Sequence, residues 1–352
     1  MLKKSLARLT GALRKADPEP EAVPPRTEAL PRTVAPEQPL LWVGTAGFDP
    51  AQKNLLGRQL AGATDGGPCW EPAAFAEADA WLISGLKARI LGEHSLKVDP
   101  AVPHERSLQI NLQKLDRPTA CSLPLVLPAP EKVKGFALTG EGIAATLAGF
   151  ETALQPLLAQ YALGCLIAGQ PRSVRSGVVH LTHGGNLIAT LDFHNLEAGI
   201  APQTRAAEIH ACQWERKALS AGRPPPSFRA FSIGELTWLY VLRSKRDLLP
   251  SRYRASKIFF RHPPQVRPAW LRNSHRVVLQ ELTAEAFSFE ELRQRTSLPP
   301  EALSHALACL YYTGAITTSR GKAHSPVLSE SNAFETRSPP SADMAQSMFF
   351  KN

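Results

Sequence analysis

Apolar positions along the chain change their period several times, and each change marks an element. Leu40-Leu41-Trp42-Val43 is a continuous apolar run closed by Gly44-Thr45-Ala46-Gly47, and Ala80-Trp81-Leu82-Ile83 is another, closed by Ser84-Gly85. Short apolar runs bounded by turn residues read as buried strands, and the stretch between them, Ala51 to Leu60, reads as a helix. Leu108 to Leu112 and Ala120 to Leu127 add further strands, so residues 40–135 are expected to form a small α/β domain.

Ile143, Leu147, Phe150, Leu154, Leu158 and Tyr161 then recur every three or four residues, which predicts one or two packed helices. Val178 to His183 and Asn186 to Phe193 flank Gly184-Gly185, the pattern of a β-hairpin with a two-residue turn. In that register His183 faces Asn186 and His180 faces Ala189, which places the two imidazoles on opposite faces and Asp192 on the face of His183. Thr204 to Ser220 reads as a helix broken by Gly222-Arg223-Pro224-Pro225-Pro226, which completes a helical segment with a β-hairpin over 136–230.

Ser232-Ile233-Gly234-Glu235 is a capping box that opens a helix carrying Leu236, Leu239, Tyr240 and Leu242. A proline-interrupted basic connector follows. Farther on, His275 to Leu282 reads as a helix and Ser288-Phe289-Glu290-Glu291 caps a second, ending near Thr296. Leu298-Pro299-Pro300 makes a turn, Glu301 to Tyr312 is a third helix, and Gly314 introduces Ala315 to Ser319 as a strand. Over about 274–319 this order resembles a winged helix-turn-helix module, so 231–320 is expected to be connector plus winged-helix-like module. The fold class expected for the whole is α/β plus α+β.

The two ends differ in composition from the rest. Leu2, Leu6, Leu9 and Leu13 lie at helical spacing among Lys3, Lys4, Arg8, Arg14 and Lys15, and seven prolines follow between Asp17 and Pro39. Residues 1–39 thus read as a basic amphipathic helix on an extended tether, suited to an anionic membrane surface or a partner groove. Residues 321–352 read as a disordered tail rich in Ser and Pro.

Five scattered cysteines with no Cys-x-x-Cys spacing argue against a disulfide framework or a cysteine zinc site, and fit the cytoplasm. The apolar stretch Ala153 to Ala168 is interrupted by Pro156 and Gln160 and reads as a buried helix, not a transmembrane span. The formal net charge is +9, and ten Lys or Arg residues against one acid, Asp247, fall between Arg243 and Arg276. That local excess equals the excess of the whole chain.

A winged helix implies DNA, with its third helix in the major groove. The outward positions expected on that helix, Glu301, Ser304 and His305, offer no Arg, Lys, Asn or Gln to pair with base edges, which favours a protein contact. The basic segment keeps nucleic acid, or an anionic nucleotide messenger, as an alternative. Arg243, Lys245, Arg246, Arg252, Tyr253, Arg254, Lys257 and Arg261 are the candidate anion-binding residues, cations to neutralise phosphate and an aromatic ring to stack on a base.

Enzymatic chemistry finds no motif. Gly44-x-x-Gly47 is too short for a dinucleotide fingerprint, and no phosphate loop, nucleophile elbow or His-Glu-x-x-His helix occurs. A receiver-type domain needs acids after its first strand and a phosphorylatable Asp after its third, whereas only Asp49 and Ser84-Gly85 stand at such places. The sequence therefore predicts a non-enzymatic cytoplasmic regulator or adaptor without catalytic residues, metal or cofactor, whose partner is a protein with an acidic surface. A DNA-binding transcriptional regulator is the alternative.

Overall fold

The computed structural model describes residues 37–62, 67–92, 94–103, 106–124, 133–171 and 175–323. The expected N-terminal helix, most of its tether and nearly all of the C-terminal tail lie outside the described residues. Contacts divide the chain into two compact units, one ending at Arg243 and the other beginning at Ser244.

The first unit opens with β1 (Leu40–Ala46), α1 (Pro50–Gly62), β2 (Cys69–Pro72) and β3 (Ala80–Ile83). Next come β4 (Ala88–Leu91), β5 (Ser95–Val98), β6 (Leu108–Asn111), β7 (Thr119–Ser122) and β8 (Lys134–Phe136). Five of these strands form a parallel sheet in the order β2-β1-β3-β7-β8, while β4, β5 and β6 form a separate antiparallel meander. Alternation along each parallel strand divides the sheet between two cores. Leu41, Val43, Ala80, Leu82 and Ala120 meet Leu56 and Leu60 of α1 and the helix that follows β8. Ala46, Ile83 and Cys121 meet Leu96, Val98 and Ile110 of the meander. The expected strand at Leu108 is therefore real but belongs to the meander, outside the parallel sheet.

Helices α2 (Gly140–Ala153) and α3 (Gln155–Gly169) meet at a bend of 66°. Thr139 caps α2 by accepting from the Gly142 N–H at 3.2 Å, and Pro156 stands in the first turn of α3. Among the described residues no single helix is long and apolar enough to cross a membrane. The apolar surface of α3 is instead buried, with Leu158, Leu163 and Ile167 inside.

Strands β9 (Val178–His183), β10 (Asn186–Asp192), β11 (Glu197–Ile200), β12 (Gln213–Lys217) and β13 (Arg229–Ser232) build an antiparallel sheet in the order β12-β9-β10-β11-β13. Against it pack α3, α4 (Ala206–His210) and α5 (Ile233–Arg243), through Ala159, Leu163, Ile209 and Leu236. The hairpin turn falls at Gly184 and Gly185, with φ of 58° and 80°, the left-handed pair that a tight hairpin requires. A bulge between Leu187 and Ala189 shifts the register, so His180 faces Thr190 and not Ala189. Thr190 and Asp192 alternate with the core residues Ala189 and Leu191, as His180 alternates with Val179 and Leu181, so Asp192 shares the face of His180, not of His183. The helix expected over Thr204 to Ser220 shrinks to α4, because Gln213 to Lys217 pair with β9 as a strand. The capping box at Ser232 is present: its Oγ accepts from the Glu235 N–H at 3.0 Å and Glu235 accepts from the Ser232 N–H at 3.0 Å. At Gly164 α3 meets α5 so closely that a Cβ would stand 2.1 Å from the Leu236 carbonyl oxygen.

The second unit contains α6 (Arg252–Ala255), β14 (Phe259–Phe260), α7 (Asn273–Ala284), α8 (Phe289–Thr296), α9 (Pro300–Tyr312) and β15 (Ile316–Thr317). Strands β14 and β15 pair antiparallel, Phe259 opposite Thr317 and Phe260 opposite Ile316. Ser288 and Glu291 form the expected reciprocal cap of α8. Val278, Leu282, Leu292, Leu303 and Leu307 are buried. All five cysteines are thiols; Cys121, Cys165, Cys212 and Cys309 are buried and Cys69 is half-buried.

Candidate functional site

The basic segment begins where α5 ends, and its first cation turns inward. Arg243, only 5% exposed, donates from two nitrogens to the Asp79 carboxylate at 2.7 and 2.5 Å and to the Leu40 carbonyl at 2.9 Å. Its guanidinium also lies 4.6 Å from the centre of the Trp42 ring. Arg243, expected among the anion-binding residues, is thus an internal clamp. Packing of α5 on α3 carries its last residue to the sheet, where Asp79 already accepts from the Trp42 N–H at 2.9 Å.

Tyr253 also departs from the expectation. It is 2% exposed, donates through its hydroxyl to the Ile316 carbonyl at 3.2 Å, and tilts against Tyr311 with ring centres 5.1 Å apart. A ring held between α6 and β15 is core, not a platform for a base.

Arg254 is exposed but already engaged. One nitrogen donates to Asp247 and, at 2.8 Å, to Ser304 Oγ, while the guanidinium stands 4.9 Å from the Phe289 ring. Ser304 in turn donates to Asp247 at 2.7 Å, and the Leu249 N–H donates to the same carboxylate at 3.2 Å. Burial pushes the Asp247 carboxyl up, but these hydrogen bonds and the Arg254 charge outweigh it and hold the group below its ordinary value. The one acid of the basic segment and one of its cations therefore engage each other.

Lys245, Arg246, Arg252, Lys257 and Arg261 reach the surface. Arg252 lies over the rings of Tyr253 and Tyr311, at 5.3 and 5.4 Å. The charge of Lys257 contributes to the lowered pKa of Glu291, after the Ser288 hydrogen bonds that dominate it. The Arg261 N–H donates to the Ala315 carbonyl at 2.8 Å and so extends the β14–β15 pairing by one rung.

Helix α9 offers little to a groove. Leu303, Ser304, Ala306, Leu307, Ala308, Cys309 and Leu310 are all buried, leaving Pro300 and Glu301 exposed and Ala302, His305, Tyr311 and Tyr312 half-buried. Ser304, expected to face outward, is 4% exposed, because its hydroxyl completes the Asp247–Arg254 clasp.

Numbered among themselves, the parallel strands run 2-1-3-4-5, a doubly wound order whose ligand crevice lies beyond the carboxyl ends of the first and third strands. Here those ends are engaged. Asp49 accepts from the Gln52 N–H at 2.8 Å and Gln52 accepts from the Asp49 N–H at 3.1 Å, so this acid caps α1. Ser84 is buried, and the Gly85 N–H donates to buried Ser122 Oγ at 3.1 Å. Among the described residues no cluster of three or more His, Cys, Asp or Glu could hold a metal ion. His180 contacts the Ala221 carbonyl at 3.0 Å.

Sequence reasoning missed a groove of about 700 Å³ inside the first unit. Its walls come from Glu37 to Pro39, from Gly67 and Pro68, from the end of α2 running into the start of α3, and from Arg205 with α4. The Tyr240 hydroxyl donates to Glu37 at 3.1 Å, and the Trp70 indole N–H donates to Glu151 at 3.1 Å. Burial lowers the pKa of His210 on α4, which keeps its imidazole neutral at pH 7. No local motif marks this groove, since its residues come from four separate stretches of chain. Compared with known proteins, the chain matches no family, no curated protein and no solved structure.

Proposed function

We propose that this chain is a non-enzymatic regulatory or adaptor protein of the cytoplasm, in which the second unit binds a protein partner through an exposed basic surface. One observation carries the reading: α9, the helix that would have to read bases, is buried on most of its circumference and turns no Arg, Lys, Asn or Gln outward. The order α7, α8, α9 and the β14–β15 pair support a winged-helix-like module used for protein contact. The acid-poor, closed carboxyl ends of the parallel sheet suit a domain that presents a surface and does not accept a phosphoryl group.

Exposed Lys245, Arg246, Arg252, Lys257 and Arg261 favour one second reading, a DNA-binding regulator held by phosphate contacts. Fluorescence anisotropy of a mixed-sequence duplex, titrated at low and moderate salt, separates the two. The adaptor reading expects at most weak association that moderate salt abolishes. Tight, sequence-selective binding that survives moderate salt and is lost in an Arg252→Ala/Lys257→Ala/Arg261→Ala variant would replace it with the DNA reading.

A further inference from the structure

We infer that the groove of the first unit is a docking site for the chain's own N-terminal segment, residues 1–15. The described chain begins inside this groove: Glu37 forms part of its wall and is fixed there by the Tyr240 hydroxyl. The 21 residues between Lys15 and Glu37 reach roughly 70 Å when extended, at about 3.3 Å each, ample for the segment to return to the place its tether leaves from.

The chemistry is complementary on both counts. Pro39, Ala206 and Ala207 give the groove accessible apolar surface, backed by buried Leu158, that suits Leu2, Leu6, Leu9 and Leu13, the spacing with which an amphipathic helix enters a groove. Glu37 and Glu151 face Arg205 and a neutral His210, so the lining carries one net negative charge, while residues 1–15 carry five cations and no acid. Tethering makes the contact intramolecular, so even a weak site would be filled at the effective concentration a short linker provides. Docked there, the basic segment is withheld from anionic membranes and from other proteins until something displaces it.

The test uses the full chain with a photo-crosslinking amino acid at Leu6, at low protein concentration, and maps the products by peptide mass. The expected result is an intramolecular cross-link to 151–162 or 205–210, independent of protein concentration and several-fold weaker after Glu37→Lys/Glu151→Lys. A Glu37→Lys single variant, with its fold checked by circular dichroism, guards against loss of structure through the Trp70 bond of Glu151. Cross-links scattered over the surface, cross-links only between molecules, or a groove cross-link indifferent to the charge reversals would each overturn the proposal. Capture of the segment by phosphatidylserine vesicles, with no groove cross-link in their absence, would overturn it in favour of membrane docking.

Discussion

At the scale of single residues, two carboxylates show how charge is put to structural use. Asp79 and Arg243 form a buried pair whose side chains are 11% and 6% exposed, and the remaining hydrogen bonds go to backbone groups of β1. Removing one partner of such a pair leaves the other desolvated and unmatched. Asp79→Ala is expected to cost about 3–5 kcal/mol by urea denaturation, and Asp79→Ala combined with Arg243→Met less than the sum of the two singles. Asp192 ends β10 and accepts from the N–H groups of His194 and Asn195, at 2.9 and 3.0 Å, and from the Asn195 side chain at 2.8 Å. Burial pushes its pKa up, but these bonds, with the His194 charge, bring it below 3.8. A depressed folded-state pKa contributes stability that is present above the unfolded value and lost as pH falls through the folded one. Melting temperatures of the native chain and Asp192→Asn should therefore differ most near neutrality and converge below pH 3.8.

At the scale of elements, the close approach of α3 and α5 is the sharpest constraint. Gly164→Ala sets a methyl against the Leu236 carbonyl, so the helices must part, at a cost of about 1–3 kcal/mol in urea denaturation. This constraint could not be read from the sequence, because a glycine within an apolar helix looks the same whether or not a second backbone touches it. The elements with a strong period were legible: β1, α1, β3, the α2–α3 pair, the β9–β10 hairpin and the two capping boxes all appear where the pattern put them. Short strands were not. In β12, Trp214-Glu215-Arg216-Lys217 has helix-forming residues, and only its pairing to β9 makes it a strand. The four-residue strands β4 and β5 carry too few alternations to stand out from loop. The bulge after Leu187 leaves no trace in composition, yet it decides which face Asp192 shares.

At the scale of the whole molecule, each compact unit has a core of its own. Leu307 is fully buried in the second unit, so Leu307→Ala should cost about 2–5 kcal/mol there. Hydrogen exchange should accelerate at the amides of α7, α8 and α9 while those of β9 and β10 keep their protection. Acceleration across both sets would mean that the chain opens as one cooperative body. The candidate site was legible in part at this scale too. The run of positive charge was plain, but which candidate residues turn inward or are already engaged depends on partners distant in sequence: Asp79 buries Arg243, Ile316 holds Tyr253 in the core, and Ser304 engages the exposed Arg254.

The cysteines give this architecture its own stopwatches. Thiols react only as exposed thiolates, and burial pushes Cys121 up to about 11 and Cys309 upward as well, so neither is attacked while its surroundings stay closed. One stands in the parallel sheet, one in α3, one beside β12 and one in α9, with half-buried Cys69 on the outermost parallel strand. Modification by a small thiol reagent therefore times the opening of each layer separately, in the native sequence and without a reporter having to be built in.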